Sequence, residues 1–171
     1  MKFEKVSFEQ FLKDCNKLME DGHMMFADDE EIRAYYDMIQ LPRRAEPGSA
    51  GYDFYLPFPA VFNPGVSTML PTGIRALIDH GYFLMCVPRS GLGFKYGMRL
   101  RNTAGIIDES YSSADNEGHI MAKIDTDEPF RLGLSDRFMQ GIFVPYAITD
   151  DDDPIKSERT GGFGSTGGEG E

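Results

Sequence analysis

The stretch YFLMCVPRSGLG, residues 82–93, passes from an apolar run directly into proline, glycine and polar residues. A short apolar run bounded in this way is typical of a buried β-strand that ends in a turn. Runs with the same texture recur at 52–56 (YDFYL), 66–70 (VSTML), 73–78 (GIRALI), 119–124 (HIMAKI) and 138–148 (FMQGIFVPYAI). Their spacing predicts an all-β sandwich or barrel and disfavours alternating βαβ units.

The first forty residues have a helical texture instead. Ser7 and Gln10 have the spacing of a capping box, and apolar residues then recur at helical intervals. Asp28 or Asp29 is placed to cap a second helix with its own apolar stripe. We therefore predict a helical extension over residues 1–40, which either packs on the β domain or offers a surface to a partner.

The composition limits the classes of protein and partner. A chain of 171 residues, 41% of them hydrophobic, suits one domain with a real core. A net charge of -11 leaves no dense basic surface for nucleic acid. No stretch approaches the ~18 unbroken apolar residues of a membrane span, and two cysteines cannot form a disulfide framework. We expect a soluble, unexported cytoplasmic protein that binds neither nucleic acid nor membranes.

The last part of the chain differs from the β region. Four aspartates, Asp150 to Asp153, precede the Gly-rich segment 159–167 (RTGGFGSTG). Accessible backbone N–H groups, hydroxyls and an arginine suit a phosphate-binding loop, although a flexible tail is the alternative. We therefore divide the chain into the extension 1–40, a β core at 41–149, and an acidic linker with a Gly-rich arm at 150–171.

Two segments of the core carry candidate chemistry. In 88–93 (PRSGLG), a guanidinium, a hydroxyl and unhindered backbone N–H groups follow a strand, which suits a phosphate; the alternative is a turn capped by Ser90. In 102–111 (NTAGIIDESY), Asp108 could deprotonate a water molecule and Tyr111 could stack on a sugar. The alternative there is an Asx-turn at the tip of a hairpin.

Five segments, taken in order, resemble the motifs of the trimeric dUTPases. They are 50–55 (AGYDFY), 88–93 (PRSGLG), 105–111 (GIIDESY), 137–140 (RFMQ) and 159–167 (RTGGFGSTG). The resemblance covers roughly residues 38–168 and implies a distorted jelly-roll β-barrel. It also implies a homotrimer with active sites shared between subunits, and hydrolysis of dUTP to dUMP and pyrophosphate with Mg²⁺ on the triphosphate.

The resemblance further implies a role for each motif. Asp108 activates the water that attacks the α-phosphorus, and Tyr111 lies under the deoxyribose and excludes a 2′-hydroxyl. Asp53 acts on the Mg²⁺ through a water molecule or gives structural support.

The remaining implied site residues fall into three groups. Those that hold the phosphates are Arg89, Ser90, Gly91 and Gln140, with Arg89 and Gln140 also catalytic. Those that read the uracil edge are Asn102, Ala104, Gly105, Ile106, Ile107 and Met121. Those that close over the nucleotide from the arm are Arg159, Phe163, Gly164, Ser165 and Thr166, with Phe163 stacked on the base.

The chain departs from the family pattern in three places. Six residues, 112–117, separate Tyr111 from Gly118, where the family usually has a single residue. The arm motif is one residue shorter than its commonest form between Arg159 and Phe163, and the extension lies outside the family core.

Two other functions compete with dUTP hydrolysis. A dCTP deaminase shares the fold, but it is expected to carry a glutamate in the hairpin and to lack the Gly-rich arm. A dUTP-binding regulatory protein could signal through residues 1–40 or 112–117.

Overall fold

The computed structural model describes residues 1–154, in which β-strands dominate. The strands are β1 (Lys2–Lys5), β2 (Arg43–Arg44), β3 (Tyr52–Tyr55), β4 (Ala60–Phe62), β5 (Thr68–Pro71), β6 (Ile74–Leu77), β7 (Tyr82–Pro88), β8 (Arg99–Leu100), β9 (Gly105–Ile107), β10 (Met121–Asp125), β11 (Phe130–Leu132) and β12 (Arg137–Pro145). The helices are α1 (Phe8–Glu20), α2 (Asp29–Asp37), α3 (Ser90–Tyr96) and a 3-10 helix at Glu109–Ser113.

The strands form four antiparallel sheets. The largest has the order β2-β3-β12-β7-β9, and a three-stranded sheet has the order β5-β10-β8. The pairs β1-β6 and β4-β11 complete the arrangement. Because β12 lies between β3 and β7, the chain crosses over between distant segments, as in a jelly roll and unlike a simple meander. The all-β prediction is confirmed.

The core lies between the sheets and is rich in aromatic side chains. The rings of Phe62 and Phe130 stack at 4.6 Å, and Tyr96 of α3 stacks on Phe130 at 4.5 Å. A β-bulge near the start of β12 shifts the register between Arg137 and Met139. Phe138 and Met139 are consequently both buried, although neighbouring strand residues normally face opposite sides.

The N-terminal segment packs on this core. Ser7 caps α1 by accepting a hydrogen bond from the Gln10 N–H, and Asp28 caps α2 by accepting one from Glu31. Buried apolar side chains of both helices, including Phe11 and Ile32, belong to the same cluster as the barrel core. Packing on the β domain is thus the alternative that the structure supports.

The strand β1 was not predicted. It pairs with β6, with Phe3 opposite Ala76. Phe3 is its only large apolar residue, and the Phe3 ring packs against Tyr52, Phe54 and Phe143 at centroid distances of 5.3–5.5 Å. A four-residue strand with one apolar side chain has no visible alternation, so its pairing depends on the sheet that receives it.

Within residues 1–154, no helix has the length and apolar character that crossing a lipid bilayer requires.

Candidate active site

The turn between β7 and α3 carries the first group of predicted site residues. Arg89 is the N-cap of α3, with φ −69° and ψ 136°, and its backbone N–H donates to Phe138 O at 3.3 Å. Ser90 is therefore the first residue of the helix: the strand-to-helix turn of the alternative reading is present, but Arg89 and not Ser90 stands at its N-cap. The Ser90 and Gly91 positions are exposed, so a ligand can reach this turn.

A buried carboxylate holds this turn to the neighbouring strands. Asp53 on β3 has a side-chain exposure of 9%; its Oδ1 lies 3.1 Å from Arg89 Nε and its Oδ2 lies 3.0 Å from Arg137 Nη1. The carboxylate thus joins β3, the start of β12 and the β7–α3 turn. Arg137, the first residue of the segment 137–140, is part of this cluster.

Gln140 lies next to the same cluster. It is opposite Asp53 on β3 and opposite Val87 on β7. A Cβ atom at Gly51 would overlap the Gln140 side-chain amide, so Gly51 allows that amide to pack directly against the backbone. Sequence reasoning missed this contact, because it joins residues far apart in the chain.

The second group of predicted residues lies on β9 and directly beside it. This strand pairs with β7, with Gly105 opposite Cys86 and Ile107 opposite Leu84. Asp108 follows the strand directly and is the exposed N-cap of the 3-10 helix. Its side chain makes no capping hydrogen bond to that helix within the described chain.

Tyr111 is buried on the 3-10 helix, with 4% of its surface exposed. Its hydroxyl donates to the backbone oxygen of His119 at 3.0 Å and accepts from Asn116 Nδ2 at 2.9 Å. Two hydrogen bonds to the segment that follows the ring fix its orientation.

The lengthened segment 112–117 runs from the end of the 3-10 helix into a tight turn. Glu117 has φ 57° and Gly118 has φ 73°. A Cβ atom at Gly118 would come within 2.8 Å of Tyr111 O, so this position requires glycine. The chain then enters β10 with Met121 opposite Pro71, which fixes the register of the returning strand.

A pocket of about 200 Å³ lies between β9 with the residues before it and β10. Four predicted uracil-reading residues line it: Asn102, Gly105, Ile107 and Met121. Ile106 is 52% exposed, because alternate residues of β9 face opposite sides of the sheet. Thr103, in the turn between β8 and β9, has φ 69°, a conformation that β-branched residues rarely adopt.

The donor set suits a metal ion held by substrate better than one held by protein. Among residues 1–154, no three His, Cys, Asp or Glu side chains come together as a metal-binding group. Both oxygens of Asp53 contact arginines. Mg²⁺ commonly keeps several waters and binds mainly through substrate phosphates, so these residues fit such an ion. The predicted arm residues Arg159, Phe163, Gly164, Ser165 and Thr166 lie outside the described residues.

The similarities to known proteins concern one family. A family model described as dUTPase matches residues 37–167. The deoxyuridine 5'-triphosphate nucleotidohydrolase of Lactococcus lactis subsp. lactis is 40% identical over 133 residues, covering 75% of this chain and 89% of the relative. The enzyme of the same name from Laribacter hongkongensis is 41% identical over 140 residues, with the same coverage of 75% and 89%.

A solved structure extends the similarity. The crystal structure of dUTPase from Streptococcus mutans superposes with a TM-score of 0.63 at 28% sequence identity. The match covers 88% of this chain and 99% of that one.

Proposed function

The chain belongs to the dUTPase family and hydrolyses dUTP, and from this premise we propose that Asp108 is the base that activates the attacking water. The Asp108 carboxylate takes a proton from the water molecule while the oxygen of that water bonds to the α-phosphorus. The bond between the α-phosphorus and the bridging oxygen to the β-phosphate breaks, so the products are dUMP and pyrophosphate. No histidine base is needed, because such reactions depend mainly on positioning and on stabilising charge.

The observation that carries this assignment is the pocket lined by Asn102, Gly105, Ile107 and Met121, directly before Asp108 in the chain. A pyrimidine bound there meets strand backbone on two sides, from β9 and β10. Backbone N–H and C=O groups are fixed donors and acceptors, so they can distinguish the edge of uracil from that of cytosine. Tyr111, three residues beyond Asp108, is proposed to support the deoxyribose.

Arg89, Ser90, Gly91 and Gln140 are proposed to bind the phosphates. One oxygen of Asp53 contacts Arg89 Nε, which is one of the five N–H donors of the guanidinium, so other donors of that group can bind a phosphate. Asp53 therefore fixes the orientation of Arg89 toward a phosphate. A magnesium ion, when bound by the triphosphate, supplies neutralisation of the phosphate charge, and Asp53 is proposed to reach it only through water.

The strand register supports a site shared between protomers. Ile107, next to Asp108, lies opposite Leu84 on β7, whereas Arg89 follows the far end of that strand. Five residues of extended strand span about 16 Å, and Asp108 continues in the opposite direction. Because one phosphate must be close to both side chains, we propose that Arg89 acts on the nucleotide held by a neighbouring protomer, in a homotrimer.

A test of this sharing is to mix Asp108→Asn with Arg89→Gln subunits, refolded together. The second variant keeps an amide that can still contact Asp53. We expect each variant alone to be nearly inactive, and the mixture to recover activity at about a quarter of the sites, where an intact Asp108 meets an intact Arg89 from the next chain. A chain carrying both substitutions, mixed with either single variant, is the control. No recovery in demonstrably mixed trimers would place both residues in sites formed by one chain.

The cytoplasm is the proposed compartment. Both cysteines of the chain, Cys15 and Cys86, are free and buried. Burial raises the pKa of each thiol to about 12. Thiols held neutral in this way are poor nucleophiles and resist oxidation, so neither cysteine conflicts with a reducing environment.

The experiment that tests the function measures pyrophosphate released from dUTP and ammonia released from dCTP, with Mg²⁺ present. We expect pyrophosphate from dUTP and no ammonia from dCTP. Ammonia release would favour a deaminase of the same fold, and binding of dUTP without any turnover would contradict the proposed chemistry.

A further inference from the structure

A chain of hydrogen bonds joins the N-terminal helix α1 to the proposed sugar-binding ring. Asp14 on α1 accepts at a single oxygen, Oδ2, from His119 Nδ1 at 2.6 Å and from Gln10 Nε2 at 2.8 Å. His119 is completely buried. Burial raises the pKa of Asp14, but the hydrogen bonds from His119 and Gln10 outweigh burial and hold that pKa below its usual value.

The other polar atoms of His119 are also engaged. Its Nε2 accepts from the Gly73 N–H at 2.8 Å, so this nitrogen carries no proton and Nδ1 is the donor to Asp14. Its backbone oxygen accepts from the Tyr111 hydroxyl at 3.0 Å. His119 therefore connects α1, the β5–β6 turn and Tyr111 through its ring and its backbone.

A second contact ties the same segment to α1. Glu117 accepts from the backbone N–H of Ser7 at 2.7 Å and from the Ser7 hydroxyl at 2.6 Å. Burial raises the pKa of Glu117, but the hydrogen bonds from Ser7 outweigh burial and lower that pKa. The segment 117–119 is thus bound to α1 at both of its ends: Glu117 binds Ser7, the N-cap of the helix, and His119 binds Asp14.

These two anchors lie outside the part of the chain that matches the family model, which begins at residue 37. The residue that contacts Ser7 belongs to the lengthened turn 112–117. The extension and the lengthened turn are therefore hydrogen-bonded to each other, and His119, which follows the turn, accepts from the Tyr111 hydroxyl.

We propose that Asp14 is a positioning residue for sugar selection: through His119 it holds the Tyr111 ring in the place where the ring excludes a ribose 2′-hydroxyl. The inference rests on the proposed role of Tyr111. An enzyme without the Asp14–His119 contact lets the His119 backbone and the Tyr111 hydroxyl shift, so UTP is accepted more readily. In this proposal Asp14 acts on the substrate only through His119, to which it is hydrogen-bonded.

The measurement is the ratio of kcat/KM for dUTP to kcat/KM for UTP. Because both substrates are assayed on one preparation, the fraction of folded enzyme cancels, and a purely structural role of Asp14 leaves the ratio unchanged. We expect Asp14→Ala to lower the ratio about fivefold. Asp14→Asn retains a carbonyl oxygen that can accept both hydrogen bonds, so we expect it to stay within about twofold of the unaltered enzyme.

The matched control is Glu4→Gln on β1. Glu4 pairs with Arg75 on β6 at 2.8 Å, so this variant loosens the same N-terminal segment without touching His119. We expect the ratio to be unchanged. Tyr111→Phe, which keeps the ring and removes the hydroxyl, should lower the ratio as Asp14→Ala does, and the two substitutions combined should not add.

Each other outcome overturns the inference. An unchanged ratio in Asp14→Ala beside a lowered ratio in Tyr111→Phe would leave Asp14 as a stabilising residue only. An equal fall in Glu4→Gln would assign the effect to general loosening of the extension. Independent, additive effects would mean that Asp14 does not act through Tyr111. If removal of the Tyr111 ring itself leaves the ratio unchanged, the proposed role of Tyr111 has failed first.

Discussion

Asp108→Asn is expected to lower the turnover of dUTP by about 10²–10⁴-fold while nucleotide binding stays nearly intact. The amide has the size of the carboxylate and can still hydrogen-bond a water molecule, but it cannot accept its proton. Asp108 is exposed at the end of β9, so the substitution buries no new polar group. The loss should appear in kcat.

Glu109→Gln is the matched control for this experiment. Glu109 is the next residue in the chain and also carries a carboxylate, but that carboxylate contacts His80 Nδ1 at 3.1 Å. We expect near-normal turnover for this variant. Binding of a non-hydrolysable dUTP analogue, measured by calorimetry, should be similar for both variants. An Asp108→Asn enzyme with near-normal kcat would remove Asp108 from the proposed role.

The sequence predicts those parts of the fold that are encoded locally. The runs at 82–87 and 138–148 became β7 and β12, because each contains enough alternating or continuous apolar residues to fill one face of a strand. Ser7 caps α1, and Asp28, one of the two aspartates considered, caps α2, because a cap depends only on residues within one turn. The second half of the Ser7–Gln10 capping box does not form, since the Gln10 side chain donates to Asp14 and the Ser7 N–H donates to Glu117.

The features that could not be predicted all join distant parts of the chain. Residues 53 and 137 meet in an ion pair, and residues 14 and 119 meet in a hydrogen bond, although 84 and 105 positions separate them. No local period reveals such pairs. The lengthened segment 112–117 could be read from the sequence, but its binding to Ser7 depends on where α1 docks. The candidate pocket was foreseen only because a resemblance named its residues.

The charge distribution also needs the structure to be understood. A net charge of -11 disfavours an anionic substrate over most of the surface. Two arginines, Arg89 and Arg137, nevertheless converge on the single carboxylate of Asp53. This cluster carries one more positive than negative charge, beside an exposed turn with accessible backbone N–H groups. A local excess of this kind is what a triphosphate needs in an otherwise acidic protein.

The dUTP selectivity of the enzyme should separate into two independent parts, one for the sugar and one for the base. We expect dUTP to be favoured over UTP by at least about 10²-fold in kcat/KM, because the Tyr111 ring is fixed by two hydrogen bonds and cannot make room for a 2′-hydroxyl on the sugar proposed to lie against it. We expect it to be favoured over dCTP by about 10⁴-fold, because an exchanged pyrimidine edge leaves fixed backbone donors and acceptors unpaired.

Tyr111→Ala should reduce the first part of this selectivity and leave the second. The ring is 4% exposed and its hydroxyl is held by His119 and Asn116, so in the unaltered enzyme it cannot move aside for a 2′-hydroxyl. Without the ring, we expect the dUTP-to-UTP ratio to fall about tenfold or more, and the dUTP-to-dCTP ratio to change by less than about twofold.

Tyr35→Ala is the control for this prediction. Tyr35 on α2 packs against Phe26 and Phe58, so removal of its ring should alter neither ratio. If both ratios fall together in Tyr111→Ala, the ring supports the whole pocket and does not select the sugar. If neither falls, the 2′-hydroxyl is excluded by another group.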